Sequence, residues 1–420
     1  MAVPRALPAL LLGLLVLLGA LTVPAPPASA ATATLSLSPS SGPVGTSVTV
    51  SGTGFAKKTQ GAVSAGSART VFSTTAAGSF SAIVVVPATT AGVLTVSASV
   101  AGRVASAPFT VTESGASTTA GPGATTSTPT AVPPQRTSRL RFGVSTPGGA
   151  AANSELDAVA RLVGESPSIV LSYQDFGQAP PIAGLDSVAS RGATSLVTWE
   201  PWRWGGGVAQ PAYSNARILA GDFDPFLREW GAALASWGKP VLLRYAHEMN
   251  GDWYPWSEGV NGNAPGSFAA AWRHVHDVVS AQGASNVSWV WSPNIPYAGS
   301  TALPGLYPGA SYVDVVALDG YNWGTAASWS SWTEPSALFG DGLAQLRALA
   351  PGVPILIAET ASAESGGSKA AWNSALVSYL GAQPDVTGVV WFDHDKEVDW
   401  RIGSSAASSS ALAAALAQRG

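Results

Sequence analysis

Between Arg141 and Asp395 eight apolar runs recur, separated by stretches of helical periodicity, and nearly every run stops in polar or aromatic residues. The runs cover 141–146, 168–176, 194–202, 241–250, 287–294, 313–323, 354–362 and 386–395, with amphipathic stretches such as 224–237, 265–282 and 334–350 between them. A strand that is apolar throughout is one buried on both faces, and such strands alternating with helices give a parallel sheet. Eight of them within about 280 residues match the size of a (β/α)8 TIM barrel. In a barrel the C-terminal strand ends converge on one face. The recurrent endings Trp199-Glu200, His247-Glu248, Trp291-Ser292-Pro293-Asn294, Asp319-Gly320-Tyr321 and Trp391-Phe392-Asp393 therefore predict a single polar, aromatic mouth.

The rest of the chain has a different texture. All sixteen tryptophans lie from Trp199 onwards, so composition alone divides the protein. Residues 1–30 fit a secretory signal, with Arg5 as the positive end, an apolar segment and Ala28-Ser29-Ala30 as a small-residue cleavage site; a retained membrane anchor is the alternative. Secretion to the extracellular space is expected, with no membrane association once the signal is removed. Residues 31–113 offer short alternating Val, Thr and Ser runs broken by Gly and Pro, the pattern of a small antiparallel β-sandwich. Residues 114–138 are rich in Ser, Thr, Gly and Pro and read as a linker. Residues 139–420 form the barrel domain.

The opening Leu37-Ser38-Pro39-Ser40-Ser41-Gly42-Pro43-Val44-Gly45-Thr46, followed by Val48-Thr49-Val50-Ser51-Gly52, resembles bacterial Ig-like domains of the IPT/TIG kind. The resemblance implies a sandwich fold and says little about function. With neither Trp nor Tyr, this module lacks the usual flat platforms for sugar rings, so a spacer role is expected, with cell-wall association as an alternative.

Several classes of function are disfavoured. A net charge of -4 without a basic cluster gives nucleic-acid binding no electrostatic support. The absence of cysteine leaves a secreted fold to be stabilised by burial alone, which 46% hydrophobic residues make feasible. The four histidines form no recognisable ligand motif, so no transition-metal site is expected; no organic cofactor is implied, and a structural calcium ion is an alternative that no EF-hand pattern supports.

The chemistry concentrates where apolar runs end in acids. Arg244, His247, Glu248 and Asn250 follow Val241-Leu242-Leu243, and Glu359 follows Ile355-Leu356-Ile357-Ala358. Such residues are costly to desolvate without partners. Two carboxyls at the ends of parallel strands are the arrangement for cleaving a glycosidic bond, one donating a proton and the other attacking carbon or activating water. The segment His247-Glu248-Met249-Asn250-Gly251 after the fourth strand, with an acid ending the seventh, resembles glycoside hydrolase family 26, a retaining clan of (β/α)8 barrels. The resemblance implies Glu248 as acid/base and Glu359 as nucleophile. It also implies His247 as a substrate contact that helps position the pair, Trp253 and Trp391 as aromatic walls, and Tyr321 as the nucleophile's hydrogen-bond partner. Asn250 and Asn294 are candidates for sugar hydroxyls. Trp199, Glu200 and Trp291 complete the candidate substrate contacts. Arg244 reads either as a partner of the ionised carboxylate or as a barrel brace, and Glu200 either as a substrate contact or as an ion-pair partner of Arg203.

These readings lead to a secreted, monomeric, retaining endo-β-glycanase acting on β-1,4-mannan-type polysaccharide. The segment Trp253-Tyr254-Pro255-Trp256 departs from the Phe-Trp-Trp-like run frequent in mannanases of the family, and keeps mixed-linkage β-1,3-1,4-glucan and β-1,3-xylan as alternatives. A non-catalytic carbohydrate-binding or wall-associated barrel is the alternative of another class.

Overall fold

The computed structural model describes residues 33–66, 68–75, 77–87, 89–112 and 132–419. The expected signal, residues 31, 32 and 113 at the ends of the expected sandwich, and residues 114–131 of the expected linker lie outside the described residues. The described chain forms two compact units, treated separately below.

Residues 33–112 are all β. Thr34–Ser38, Ser47–Thr53 and Phe80–Val85 form one antiparallel sheet. A second sheet orders Ser41–Gly42, Arg103–Val111, Gly92–Val100, Gln60–Ala65 and Ala68–Ser73. The alternation in Gly92–Val100 sends Val96, Ala98 and Val100 inward to meet Val48, Val50, Val63 and Phe109. One pairing departs from the expected antiparallel pattern, since Ser41–Gly42 runs parallel to Thr110–Val111.

The second unit is a closed barrel of eight parallel strands in chain order: β1 (Arg141–Ser145), β2 (Ile169–Asp175), β3 (Thr194–Glu200), β4 (Val241–Tyr245), β5 (Val287–Trp291), β6 (Val315–Asn322), β7 (Ile355–Ser362) and β8 (Val386–Phe392), with β8 closing on β1. Strand parity separates two apolar layers. Ile169, Leu171, Leu196, Val290, Ala317, Leu356, Ala358 and Val390 fill the interior. Alternate residues such as Val170, Val197, Leu243 and Ile357 join a larger core beneath the helices.

The helices follow their apolar stripes. In Asp224–Trp237 the buried residues are Leu227, Trp230, Gly231 and Leu234, the three- and four-residue spacing of one face, and the helix ends where Gly238 turns left-handed at φ 70°. Each leucine so buried contributes roughly 1.5–3 kcal/mol. Ser267–Ser280 and Pro335–Leu349 pack likewise. The crossover from β5 to β6 differs, its helix spanning only Leu303–Leu306.

The barrel unit reaches into the stretch expected to be linker. Gln135 donates to the carbonyls of Pro167 and Arg191, both at 3.1 Å, and the Ser166 amide donates to the Pro134 carbonyl at 3.1 Å. Residues 133–135 thus belong to the barrel's hydrogen-bonded surface.

Candidate active site

At the C-terminal mouth, strand geometry turns four acids inward: Glu200 on β3, Glu248 after β4, Asp319 on β6 and Glu359 on β7. All are buried, and Arg244, wholly shielded from solvent, lies among them.

Glu359 owes its direction to a β-bulge. Leu318 pairs with Ile357 but Asp319 pairs with Glu359, so Ala358 is an extra residue on β7. Ala358 belongs to the interior layer, and simple alternation would send the next side chain outward; the bulge re-aims Glu359 into the mouth. There Tyr173 donates to Oε1 at 2.7 Å and Tyr321 to Oε2 at 2.5 Å, while the Arg244 guanidinium donates to Oε1. Burial pushes this carboxyl up, but the charge of Arg244 and the Tyr321 and Arg244 hydrogen bonds outweigh it and hold Glu359 below the ordinary carboxylate range.

Arg244 is held in turn from below. It makes a two-pronged contact with Asp319, 2.8 Å to each oxygen, and two further bonds to Thr198 Oγ1 at 2.9 and 2.7 Å. One guanidinium thus faces two buried carboxyls. Burial raises Asp319 against the pull of Arg244, with the Glu359 charge adding to the rise, so the two carboxyls titrate in opposite directions from the ordinary range.

Glu248 stands on a strained turn. Ala246 and Glu248 have φ of 47° and 52°, the left-handed region that side chains other than glycine rarely adopt. Such residues cost on the order of 1–3 kcal/mol each and persist only when their surroundings over-determine them. Here the Ala246 amide donates to Trp199 O on β3 at 3.0 Å, and the Glu248 amide donates to Ser292 O after β5 at 2.7 Å. The Trp256 indole donates to His247 O at 2.8 Å between them. The Glu248 carboxyl accepts from Trp253 Nε1 and Asn294 Nδ2, both at 2.8 Å. A β-carbon on Gly251 would lie 2.4 Å from the Trp253 ring, so only glycine lets that indole lie over the backbone and reach the acid. Burial first, and then the Glu359 charge, push Glu248 up to about 7.

His247 lies beneath this turn, 2% exposed, with Nε2 3.1 Å from the Tyr254 hydroxyl and Nδ1 4.0 Å from Glu200 Oε1. Burial, then the Arg244 charge, push the imidazole down to about 3, so it is neutral at pH 7. Glu200 accepts from the indoles of Trp202, at 3.1 Å, and Trp204, and burial raises it to about 7.

The structure therefore gathers Glu248, Glu359, His247, Trp253, Asn294, Tyr321 and Glu200 around one mouth. It moves several other candidates. Trp199 is fully buried behind β3, stacked on Trp230 with ring centroids 4.4 Å apart. Trp291 faces Tyr307 beneath the helices, and Trp391 donates its indole N–H to Trp400 O at 2.8 Å while packing on Trp372. None of the three is a substrate wall, because each occupies the outward parity of its strand. Asn250 is 1% exposed and ties the two loops together, accepting from the Asn294 amide at 2.8 Å and donating to Asn294 O at 2.9 Å. Arg244 likewise positions Glu359 from below and reaches no open surface. Glu200 bonds two tryptophans, whereas Arg203 pairs with Asp175 at 3.8 Å.

Tyr173, Tyr254, Asp319 and Thr198 act in the site beyond the candidate set. The signal for Tyr173 was its parity: Ile169, Leu171 and Tyr173 share the inward face of β2.

A closed parallel barrel whose mouth holds one carboxyl pushed up to about 7 and another held below the ordinary range defines a class, the two-carboxylate (β/α)8 barrels. Within it, residues 209–375 match the Glycosyl hydrolase family 26 model. Residues 34–112 match the IPT/TIG domain model. Endoglucanase H of Acetivibrio thermocellus is 40% identical over 240 residues, which is 55% of this chain and 25% of that protein. A mannan endo-1,4-beta-mannosidase of Bacillus subtilis (strain 168) is 34% identical over 93 residues, 21% of this chain and 25% of that protein. The chain thus spans about a quarter of the length of these curated relatives. Among solved structures, the catalytic domain of the Bacillus sp. JAMB-750 GH26 endo-beta-1,4-mannanase shares the fold, with a TM-score of 0.52 at 20% identity, covering 67% of this chain and 86% of that one.

Proposed function

We propose that this chain is a secreted, retaining endo-β-glycanase that hydrolyses a β-linked hexopyranose backbone by double displacement. The observation that carries this reading is the opposed environments of the two carboxyls, with Glu248 raised to about 7 and Glu359 held low. Glu248 donates its proton to the glycosidic oxygen as that bond breaks, and Glu359 attacks the anomeric carbon to form a glycosyl ester. The ionised Glu248 then takes a proton from water, which displaces Glu359 and restores the starting configuration. Tyr173, Tyr321 and Arg244 orient the nucleophile and keep it ionised. The neutral His247 supports the acid's turn from beneath.

The expected substrate is β-1,4-mannan, in keeping with the names of several relatives. A second reading, β-glucan, is favoured by one observation: the match to Endoglucanase H extends over 240 residues, against 93 for the mannosidase. Mannose and glucose differ in the orientation of one hydroxyl, so the choice rests on a few polar contacts.

The test is reducing-end release from galactomannan, glucomannan, lichenan and β-1,3-xylan by the parent chain and by Glu359→Ala, with the first product's anomeric form followed by NMR. Release from lichenan or a mannan, loss by several orders of magnitude in the variant and a β-configured first product are expected. An α-configured product would overturn retention, and no release from any of the four would overturn the glycanase reading.

A further inference from the structure

The loop that follows β3 carries Trp202, Arg203 and Trp204, and Trp204 keeps 46% of its surface exposed. One exposed tryptophan carries no message by itself. This one is anchored to the floor of the site. Its indole N–H donates to Glu200 Oε2, and its backbone N–H donates to Asp175 Oδ2 at 2.9 Å. Gln210 clips the loop behind it, accepting from the Arg203 amide at 3.0 Å and donating to the carbonyls of Arg203 at 3.0 Å and Gly207 at 2.7 Å. Trp202 is covered edge-on by Tyr254 and Trp256, at 5.5 and 5.7 Å, whereas no ring among the described residues stacks on Trp204.

The anchor also fixes where this open ring lies relative to the chemistry. Glu200 holds Trp204 through one oxygen, and its other oxygen is 4.0 Å from His247 Nδ1, a buried nitrogen without a hydrogen-bond partner. His247 precedes the acid. Glu248 itself is held by Asn294 and by Trp253, whose ring stacks on Tyr297 at 5.9 Å; these come from the loops after β4 and β5. Trp204 comes from the loop after β3, on the other flank of β4.

We infer that Trp204, held by Glu200 and Asp175, is the platform of an additional sugar subsite flanking the cleavage point on the β3 side of the mouth, taking one β-linked hexopyranose ring against its indole face. The inference rests on the glycanase reading for its substrate class. Pyranose rings present C–H faces that suit an indole, and a platform already fixed by hydrogen bonds loses little freedom when a ring settles on it.

Calorimetric titration tests this in full-length protein carrying Glu359→Ala to stop turnover, with gluco- and manno-oligosaccharides of three to six units as probes. Trp204→Ala is expected to weaken hexasaccharide binding by about three- to tenfold, the fold-change of one lost aromatic contact, and to leave the trisaccharide nearly unchanged. Trp204→Phe, which keeps a smaller ring, is expected to show a smaller loss with the same dependence on length, and decides the matter if the alanine protein melts early. Equal weakening at every length, no weakening at any length, or no oligosaccharide binding before Trp204 is changed would each overturn the subsite. Absence of hydrolysis by the parent chain alongside length-dependent binding would instead remove the glycanase reading and leave the platform standing.

Discussion

At the scale of single residues, the site works by holding two like groups in unlike surroundings. Glu248 has indole and amide donors against a raised affinity for its proton, and the Trp253 hydrogen bond favours the ionised form. Removing that donor therefore raises the Glu248 pKa further. Trp253→Phe keeps the ring and loses the N–H, so the falling limb of kcat/KM, set near pH 7 by Glu248, is expected to move to higher pH; a limb that stays or moves down would contradict the assignment of Glu248 as the acid. Glu200 titrates in the same range, so the profile is read in a Glu200→Gln background. Both catalytic candidates were legible in the sequence because each acid interrupts an apolar strand end, where only partners could justify it. Trp199, Trp291 and Trp391 were misplaced because tryptophan near an active site reads as a sugar platform regardless of parity. Thr198 and Glu200 point inward, so Trp199 between them points out; Ser292 and Val390 give the same sign for their neighbours. The Tyr173 bond to Glu359 could not be read, since it joins residues 186 positions apart.

At the scale of elements, two local distortions deliver the carboxyls: the β7 bulge and the left-handed turn after β4. Neither has a sequence signature here, because the bulge residue is an alanine and the turn uses Ala246 and Glu248 where glycine would be the signal. The eight strands and the main helices were legible, since periodicity survives small errors of boundary. The turn predicts its own sensitivity. Ala246 is buried at φ 47°, and a β-branched side chain is disfavoured there both by backbone strain and by overpacking. Ala246→Val is expected to destabilise the barrel by about 2 kcal/mol or more, whereas Ala246→Gly, free of the strain, should stay within about 1 kcal/mol of the parent. Urea unfolding midpoints followed by tryptophan fluorescence would measure both, and a valine variant as stable as the parent would show that the turn is not under strain.

At the scale of the whole molecule, a chain without cysteine depends on burial, yet it buries Glu200 and Glu248 within that core. Each has a folded pKa of about 7 against an ordinary value of 4.5, so between those limits the folded protein retains protons that the unfolded chain has released. A carboxyl raised in this way makes stability fall as pH rises, the opposite of a salt-bridged carboxylate. Glu359, held low, contributes stability that is present above its unfolded pKa and is lost only as pH drops through its folded value. Between about pH 4.5 and 7 the two raised acids therefore each lower stability by roughly 3 kcal/mol, while His247 and His394, pushed down by burial to about 3 and about 4, act with the opposite sign, adding stability as the unfolded chain's imidazoles lose their protons. The acids' own contribution is therefore read as the difference in melting temperature between the parent and a variant without them, in which the histidines and Asp319 cancel. Replacing Glu200 and Glu248 together with Gln removes both titrations, so the parent is expected to lose melting temperature relative to the double variant from about pH 4.5 to 7 and to hold a constant difference above it. A double variant that keeps the parent's slope would show that these acids enter the folded protein already ionised, and the proton needed at Glu248 would have to be taken up only when substrate binds.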